Sequence, residues 1–401
     1  MRTNTCIAFL VLVCLGLSSL AAQGQREAQI RERTAPQAHT AAEGSAIQAM
    51  QAPLLGFVYS AERSELRPIL GLPGASLFGR PMSLPAGVTG IYVAPRQNYA
   101  LLAGRVVGSI GLMTFQGAEE GRVAAICGAI SRPDLIAFSP SGNSAVLYSR
   151  DAEQLQVLTG LPSAPHLARV VASSELPDEL RFLAIADDGS TLLEGTVRSA
   201  IYLLPEGGSP KLLYSAADLG GMVFTPRTSN VLVFDRGAGT LFLLQEVGSA
   251  SSYVQIAEGL TGVAGNALLQ VNGGSAVLVG TNTSSAWQID LASLEVQSTR
   301  LPVTPHMLQP LQTSGKFLLF YKAGRPGWIL DTSGEAGVVS FVPASTEPRL
   351  NPRHVPLSSR DGELSDASQQ PGLVNPIVIG SACGESSQKA GAKRPLSQSL
   401  D

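Results

Sequence analysis

The sequence predicts an all-β chain folded as a single β-propeller of seven four-stranded blades, with six blades as the alternative. Three observations predict it. Short apolar cores begin at Phe57, Ala100, Ala145, Thr191, Val231, Ala276 and Phe317, 40–46 residues apart; a period of that size over many copies marks four-stranded blades. A second apolar run begins 9–11 residues after each core, at Leu66, Ile110, Leu155, Ile201, Leu241, Trp287 and Trp328. A third run, closed by a turn, precedes most cores, as in Ile136-Ala-Phe-Ser-Pro-Ser-Gly, Leu183-Ala-Ile-Ala-Asp-Asp-Gly, Met222-Val-Phe-Thr-Pro-Arg-Thr and Leu269-Gln-Val-Asn-Gly-Gly. Glycine there supplies the backbone angles that a tight hairpin needs. The cores are apolar throughout rather than alternating, which fits strands covered on both sides by neighbouring blades and disfavours a sandwich with one wet face. Runs this short, rich in Val, Ile, Phe and Tyr and separated by Gly, Pro and Asn, are not helices.

Taken in order, the chain opens with Arg2, a twelve-residue apolar stretch from Cys6 to Leu17, and the small residues Ser18-Ser19-Leu20-Ala21-Ala22. This is the pattern of a cleaved signal peptide over 1–21, too short to span a bilayer. No other segment is a transmembrane candidate, so the expected protein is exported, periplasmic or extracellular. Residues 22–53, rich in Ala, Gln, Glu and Arg without a sustained apolar face, read as a flexible spacer. The propeller is expected over 54–343 and a mostly disordered, charge-balanced tail over 344–401. A propeller must close its ring, usually by pairing strands from both termini in one blade. Ser45–Ala52 is a weak candidate for the first blade's missing strand, and the apolar island Leu373–Gly380 (LVNPIVIG) is a second.

The 401 residues carry 28 Lys+Arg against 31 Asp+Glu, a net charge of -3. That excludes a strongly basic nucleic-acid binder, which needs surplus cations to displace counterions. At 44% apolar content the chain buries enough surface to exclude global disorder. Removal of the leader leaves Cys127 and Cys383. Cys127 follows the apolar Val123-Ala124-Ala125-Ile126 and reads as a buried small hydrophobe; pairing with the tail is the other option in an oxidising compartment.

No catalytic constellation stands out. His39, His166, His306 and His354 are scattered, and no Cys/His spacing suits zinc, so neither metal nor cofactor is expected. His166 and His306 both end a Leu-Pro-x-x-Pro-His segment, but at different phases of the repeat, and read as surface histidines. Ser76 lies in Gly-Ala-Ser-Leu-Phe-Gly, one residue too long for a nucleophile elbow, and Gly237-Ala-Gly239 reads as a turn between strands. One pattern goes further. Arg63, Arg105, Arg150, Arg198, Arg236 and Arg325 each follow the start of a core by five to eight residues, in the turn between second and third strands. Equivalent turns emerge on one face, so these six form a candidate anion-binding ring. Glu62, Asp151, Glu194 and Asp235 are the neighbours expected to neutralise some of them.

Phe138-Ser-Pro-Ser-Gly-Asn-Ser-Ala-Val-Leu-Tyr and Phe224-Thr-Pro-Arg-Thr-Ser-Asn-Val-Leu-Val-Phe resemble the turn-and-strand units of bacterial exported propellers of the YVTN/WD40-like repeat superfamily. The resemblance covers most of 54–343 and implies the fold, not an activity. There is no Gly-His…Trp-Asp pairing of typical WD40 repeats, and two tryptophans are too few for a quinoprotein dehydrogenase propeller. Two function classes follow. The first is a non-catalytic binding or scaffold module, expected to be a monomer, for an unidentified protein or anionic ligand. The second is a lactonase- or glycosidase-like hydrolase whose acids and bases converge from several blades.

Overall fold

The computed structural model describes residues 52–104, 109–249, 251–260, 262–263, 266–334 and 336–345. They form seven antiparallel sheets that follow one another along the chain, at 54–78, 88–125, 135–172, 180–215, 219–257, 267–300 and 309–342. Each is a blade of one seven-bladed propeller. Apart from a single 3-10 turn, Ser173–Glu175, every regular element among the described residues is a strand. None of those residues forms a helix long and apolar enough to cross a membrane.

The three sequence registers become three strand positions. The cores are the second strands, as in Tyr99–Gly104, Ala145–Ser149 and Val231–Asp235, and these are buried at every position. The second apolar runs are the third strands. The turn-closed runs are inner strands, such as Leu180–Ile185 and Leu219–Phe224. Outer strands such as His166–Ala172 alternate in exposure. Burial peaks at the second strand, which has a blade on either side, and is lower both at inner strands that line the channel, such as Leu135–Phe138, and at the outer strand, which has water at its edge. The exposed Leu77, Val170, Leu212, Tyr253 and Phe341 all lie on outer strands.

The core is a ring of seven apolar clusters, each between two successive blades. Phe57, Leu66, Ala100 and Leu102 join blade 1 to blade 2, and Leu101, Tyr99, Leu147 and Leu158 join blade 2 to blade 3. The series continues through the Val146–Leu192, Leu193–Val233, Leu232–Leu278 and Val277–Phe317 clusters. It returns to its start where Leu55, Val58 and Ile69 of blade 1 meet Leu311, Leu318 and Ile329 of blade 7. Fully burying one such side chain contributes about 1.5–3 kcal/mol.

Six blades have four strands, and blade 1 has three among the described residues. Among the described residues the repeat's first copy begins at its second strand, Leu54–Ser60, whose inner edge has no ladder partner there. Side chains from both flanking blades occupy that edge. Gln97 of blade 2, only 1% exposed, accepts from Phe57 N at 2.7 Å and donates to Pro310 O at 2.6 Å. Gln309 of blade 7 donates to Phe57 O at 2.7 Å, and Gln312 N donates to Leu55 O at 2.8 Å. Among the described residues blade 1 is thus built of N-terminal strands and blade 7 of C-terminal ones. Leu373–Gly380 and residues 45–51 of the other candidate closing strand lie outside the described residues, as do the leader, residues 22–51 and the tail from 346.

One reading of the sequence is corrected. Cys127 is exposed, not buried, and it is disulfide-bonded. The outer strand Glu119–Ala125 ends before it, and Cys127 and Gly128 (φ 76°) form an exposed turn between the buried Ile126 and Ala129.

Candidate functional site

A propeller offers two faces and a channel. With every blade antiparallel in the same order, the turns between second and third strands share one face with the connections between blades. The turns between first and second strands form the other.

Arg63, Arg150, Arg198, Arg236 and Arg325 all lie in second-to-third-strand turns, while Arg105 falls in residues 105–108, outside the described residues. Three are engaged. Arg150 reaches Asp134 and Glu179, both at 3.4 Å; Arg198 Nε lies 3.1 Å from Asp178; Arg236 Nε donates to Asp218 at 2.7 Å. None of these partners was among the expected neutralising neighbours. Asp134, Asp178, Glu179 and Asp218 precede the inner strands, and the alternation of strand direction brings the connections between blades beside these turns. Exposed pairs of this kind contribute about 1 kcal/mol or less.

The expected neighbours do other work. Asp235, 2% exposed, accepts from Ala217 N, Asp218 N and Ala238 N and so shapes the turn itself. Glu62 lies 3.5 Å from Lys322 of blade 7. Glu194 points away from Arg198 into the interface between blades 3 and 4. Its side chain is wholly buried beside the Leu183–Leu192–Leu204 cluster, and neither carboxylate oxygen has a hydrogen-bond partner among the described residues. Burial pushes this carboxyl up to about 7, and the nearby Arg169 guanidinium opposes only part of that shift.

Arg63 and Arg325 are exposed, with no carboxylate at salt-bridge distance among the described residues. They come from adjoining blades, since Arg63 lies against Gly324 of the blade 7 turn. Beside them is a groove of about 590 Å³ lined by Tyr59, Glu62, His306, Phe320, Lys322 and Arg325, in which Glu62 and Lys322 pair with each other. His306, exposed there, pairs its Nε2 with Tyr321 O at 3.0 Å and meets Phe320 edge-on at 4.4 Å. His166 is exposed on the far outer strand of blade 3, against Thr159. The two histidines do not converge, and the described residues contain no group of three His, Cys, Asp or Glu placed to hold a metal.

The central channel holds a cavity of about 370 Å³ between the inner strands of blades 2 to 7. Its lining is mostly Val, Leu, Ile, Ala, Phe, Met and Gly, with Arg181, Gln270 and Gln309 as the polar members. No carboxylate lines it among the described residues. Above it, on the face of the first-to-second-strand turns, a basin of about 460 Å³ opens to solvent.

No family model matches the chain, and no curated protein matches its sequence. Among solved structures it is similar to a Bacteroides fragilis protein provisionally named a 6-phosphogluconolactonase. That match has 11% identity over 75% of this chain and 96% of that one, with a TM-score of 0.48. It is also similar to hydrazine synthase of Kuenenia stuttgartiensis, at 12% identity over 74% and 98% of the two chains and a TM-score of 0.42. The dihydro-heme d1 dehydrogenase NirN matches at 14% identity over 73% and 67%, with a TM-score of 0.42. None of these likenesses is close enough to carry an activity across.

Proposed function

We propose that this chain is an exported, non-catalytic binding module that holds an acidic partner on the face of the second-to-third-strand turns. The observation that carries this reading is the groove where blades 7 and 1 meet. Arg63 and Arg325, with no ion-pair partner among the described residues, present two guanidinium groups beside a cleft with aromatic walls, the combination that recognises carboxylates on a protein or polyanion. Arg150, Arg198 and Arg236 are held in ion pairs and serve the scaffold, so among the described members of the ring the seam pair is left for a ligand. The channel supports the same reading. Its lining is largely aliphatic and aromatic, whereas a hydrolase drawing residues from several blades would gather acids there. Export is supported by the leader-like Cys6–Leu17 stretch and by the disulfide at Cys127, which suits an oxidising compartment.

The test is biolayer interferometry of the leaderless chain on immobilised poly-L-glutamate. Binding is expected to weaken steeply between low and physiological salt, and to fall severalfold in Arg63→Ser/Arg325→Ser and further with Arg105→Ser. Binding that ignores salt, or that the substitutions leave unchanged, overturns the proposal.

A further inference from the structure

The opposite face carries a second and independent arrangement of charge. Six first-to-second-strand turns surround the basin above the channel, among them Arg96 of blade 2, Ser141 of blade 3, Asp187 of blade 4, Arg227 of blade 5, and Gln312 of blade 7. We propose that this basin is a site for a small organic anion, a carboxylate or phosphate ester gripped between Arg96 and Arg227.

The rim is fixed by contacts between blades. Asp187 accepts from Ser141 N at 2.6 Å and from Arg227 N at 2.9 Å, so one carboxylate ties the turns of blades 3 and 5 to that of blade 4. Asn272 donates to Leu311 O, Thr313 O and Lys316 O at 2.9–3.0 Å, tying blade 6 to blade 7. Tyr99 Oη donates to Gly142 O at 2.5 Å, tying blade 2 to blade 3. A rim held this way spends little ordering entropy on a ligand.

The two arginines are not consumed by that scaffold. Both side chains are exposed and line the basin, and neither has a hydrogen-bond or ion-pair partner among the described residues. Arg227 sits at φ 60°, in the left-handed region, and the Asp187 bond to its amide holds it there with its guanidinium presented at the rim. Asp187 offsets one of the two positive charges, and both its oxygens already face backbone amides, so a net positive charge remains for a ligand. The one cation of the channel below, Arg181, lies 3.5 Å from Asp218, so the guanidinium groups at the rim set where the anionic group sits. A volume of about 460 Å³ suits a metabolite.

The experiment is isothermal titration of the leaderless chain with inorganic phosphate, citrate and gluconate, with glucose as the neutral probe. At least one anion is expected to saturate a single site while glucose does not. In Arg96→Ser/Arg227→Asn, where asparagine tolerates the left-handed backbone, affinity should drop about tenfold or more. Arg63→Ser/Arg325→Ser should leave it unchanged, which separates this site from the seam on the other face. Unchanged melting temperatures establish that the variants fold. The proposal is overturned if no anion saturates, if the basin variant binds like the parent chain, or if only the seam variant loses binding.

Discussion

Raising the pH from 5 to 8 should destabilise this protein through one side chain, Glu194. In the folded chain its carboxyl is buried against Leu183, Leu192 and Leu204. The nearest cation, Arg169, spends its guanidinium on Leu204 O and Pro205 O at 3.1 and 2.6 Å rather than on the carboxylate. Burial therefore lifts the group from 4.5 to about 7. Below pH 4.5 both folded and unfolded chains hold the proton, and the group contributes no difference. Between 4.5 and 7 the unfolded chain releases it while the folded one keeps it, so stability falls as pH rises. Above 7 the folded chain releases it too and the loss levels off. A shift of this size, at about 1.4 kcal/mol per unit, amounts to about 3 kcal/mol. In a chain of this size that is a fall of roughly 5–10 °C in melting temperature. Differential scanning calorimetry at pH 5, 6, 7 and 8 on the parent chain and Glu194→Gln measures it. The two should melt together at pH 5, and the glutamine variant should melt several degrees higher at pH 8. Parallel profiles across the range would refute the reasoning, because an uncharged isostere removes only the titration.

Gln97→Ala strips the partner from Phe57 N and Pro310 O and should cost about 1–3 kcal/mol in urea unfolding; adding Gln309→Ala should be non-additive, since both side chains bond Phe57. Phe317→Ala opens a cavity in a fully buried cluster and should cost about 3–5 kcal/mol; a loss under 1 kcal/mol would mean that the site is not packed as described. Peptide mapping without reductant should recover the Cys127 peptide cross-linked to the Cys383 peptide once the leader is gone, whereas free thiols at both would exclude that pairing. Limited proteolysis should leave one resistant core with ends near Ala52 and Ser345, and two stable halves would contradict a single ring.

The blades were legible because burial on two sides demands apolar residues without alternation. Ala145–Ser149 and Val231–Asp235 therefore announce themselves as second strands wherever the repeat puts them. Tight turns were legible for a related reason, since Gly142, Gly189 and Gly273 all adopt the positive φ that their turns need. The short inner strand Gln309–Pro310 left no apolar run to read. Charge pairing was not legible either. Arg198 is four residues from Glu194 and twenty from Asp178, yet it meets Asp178, because strand direction and not chain distance decides which loops share a face. Glu194 itself gave no sign of burial, for its position in Leu-Leu-Glu-Gly-Thr reads equally as the end of a strand or the start of a turn. The Arg96–Arg227 pair, more than a hundred residues apart in the chain, exists only once blades 2 and 5 border one basin.

The seam of the ring has a kinetic consequence. A propeller whose first and last strands interlace can open only by breaking a ladder of backbone bonds in one cooperative event. Among the described residues the corresponding join rests on an apolar contact, the Glu62–Lys322 ion pair and three glutamine residues, of which Gln97 and Gln309 act through their side chains. Side-chain rotations are fast and need no strand to slide. The amides of Phe57 and Gln312 are therefore expected to exchange with solvent through local openings well below the free energy of global unfolding, while those of the second strands elsewhere exchange only with the whole. The circle has a latch, and the latch is made of amides.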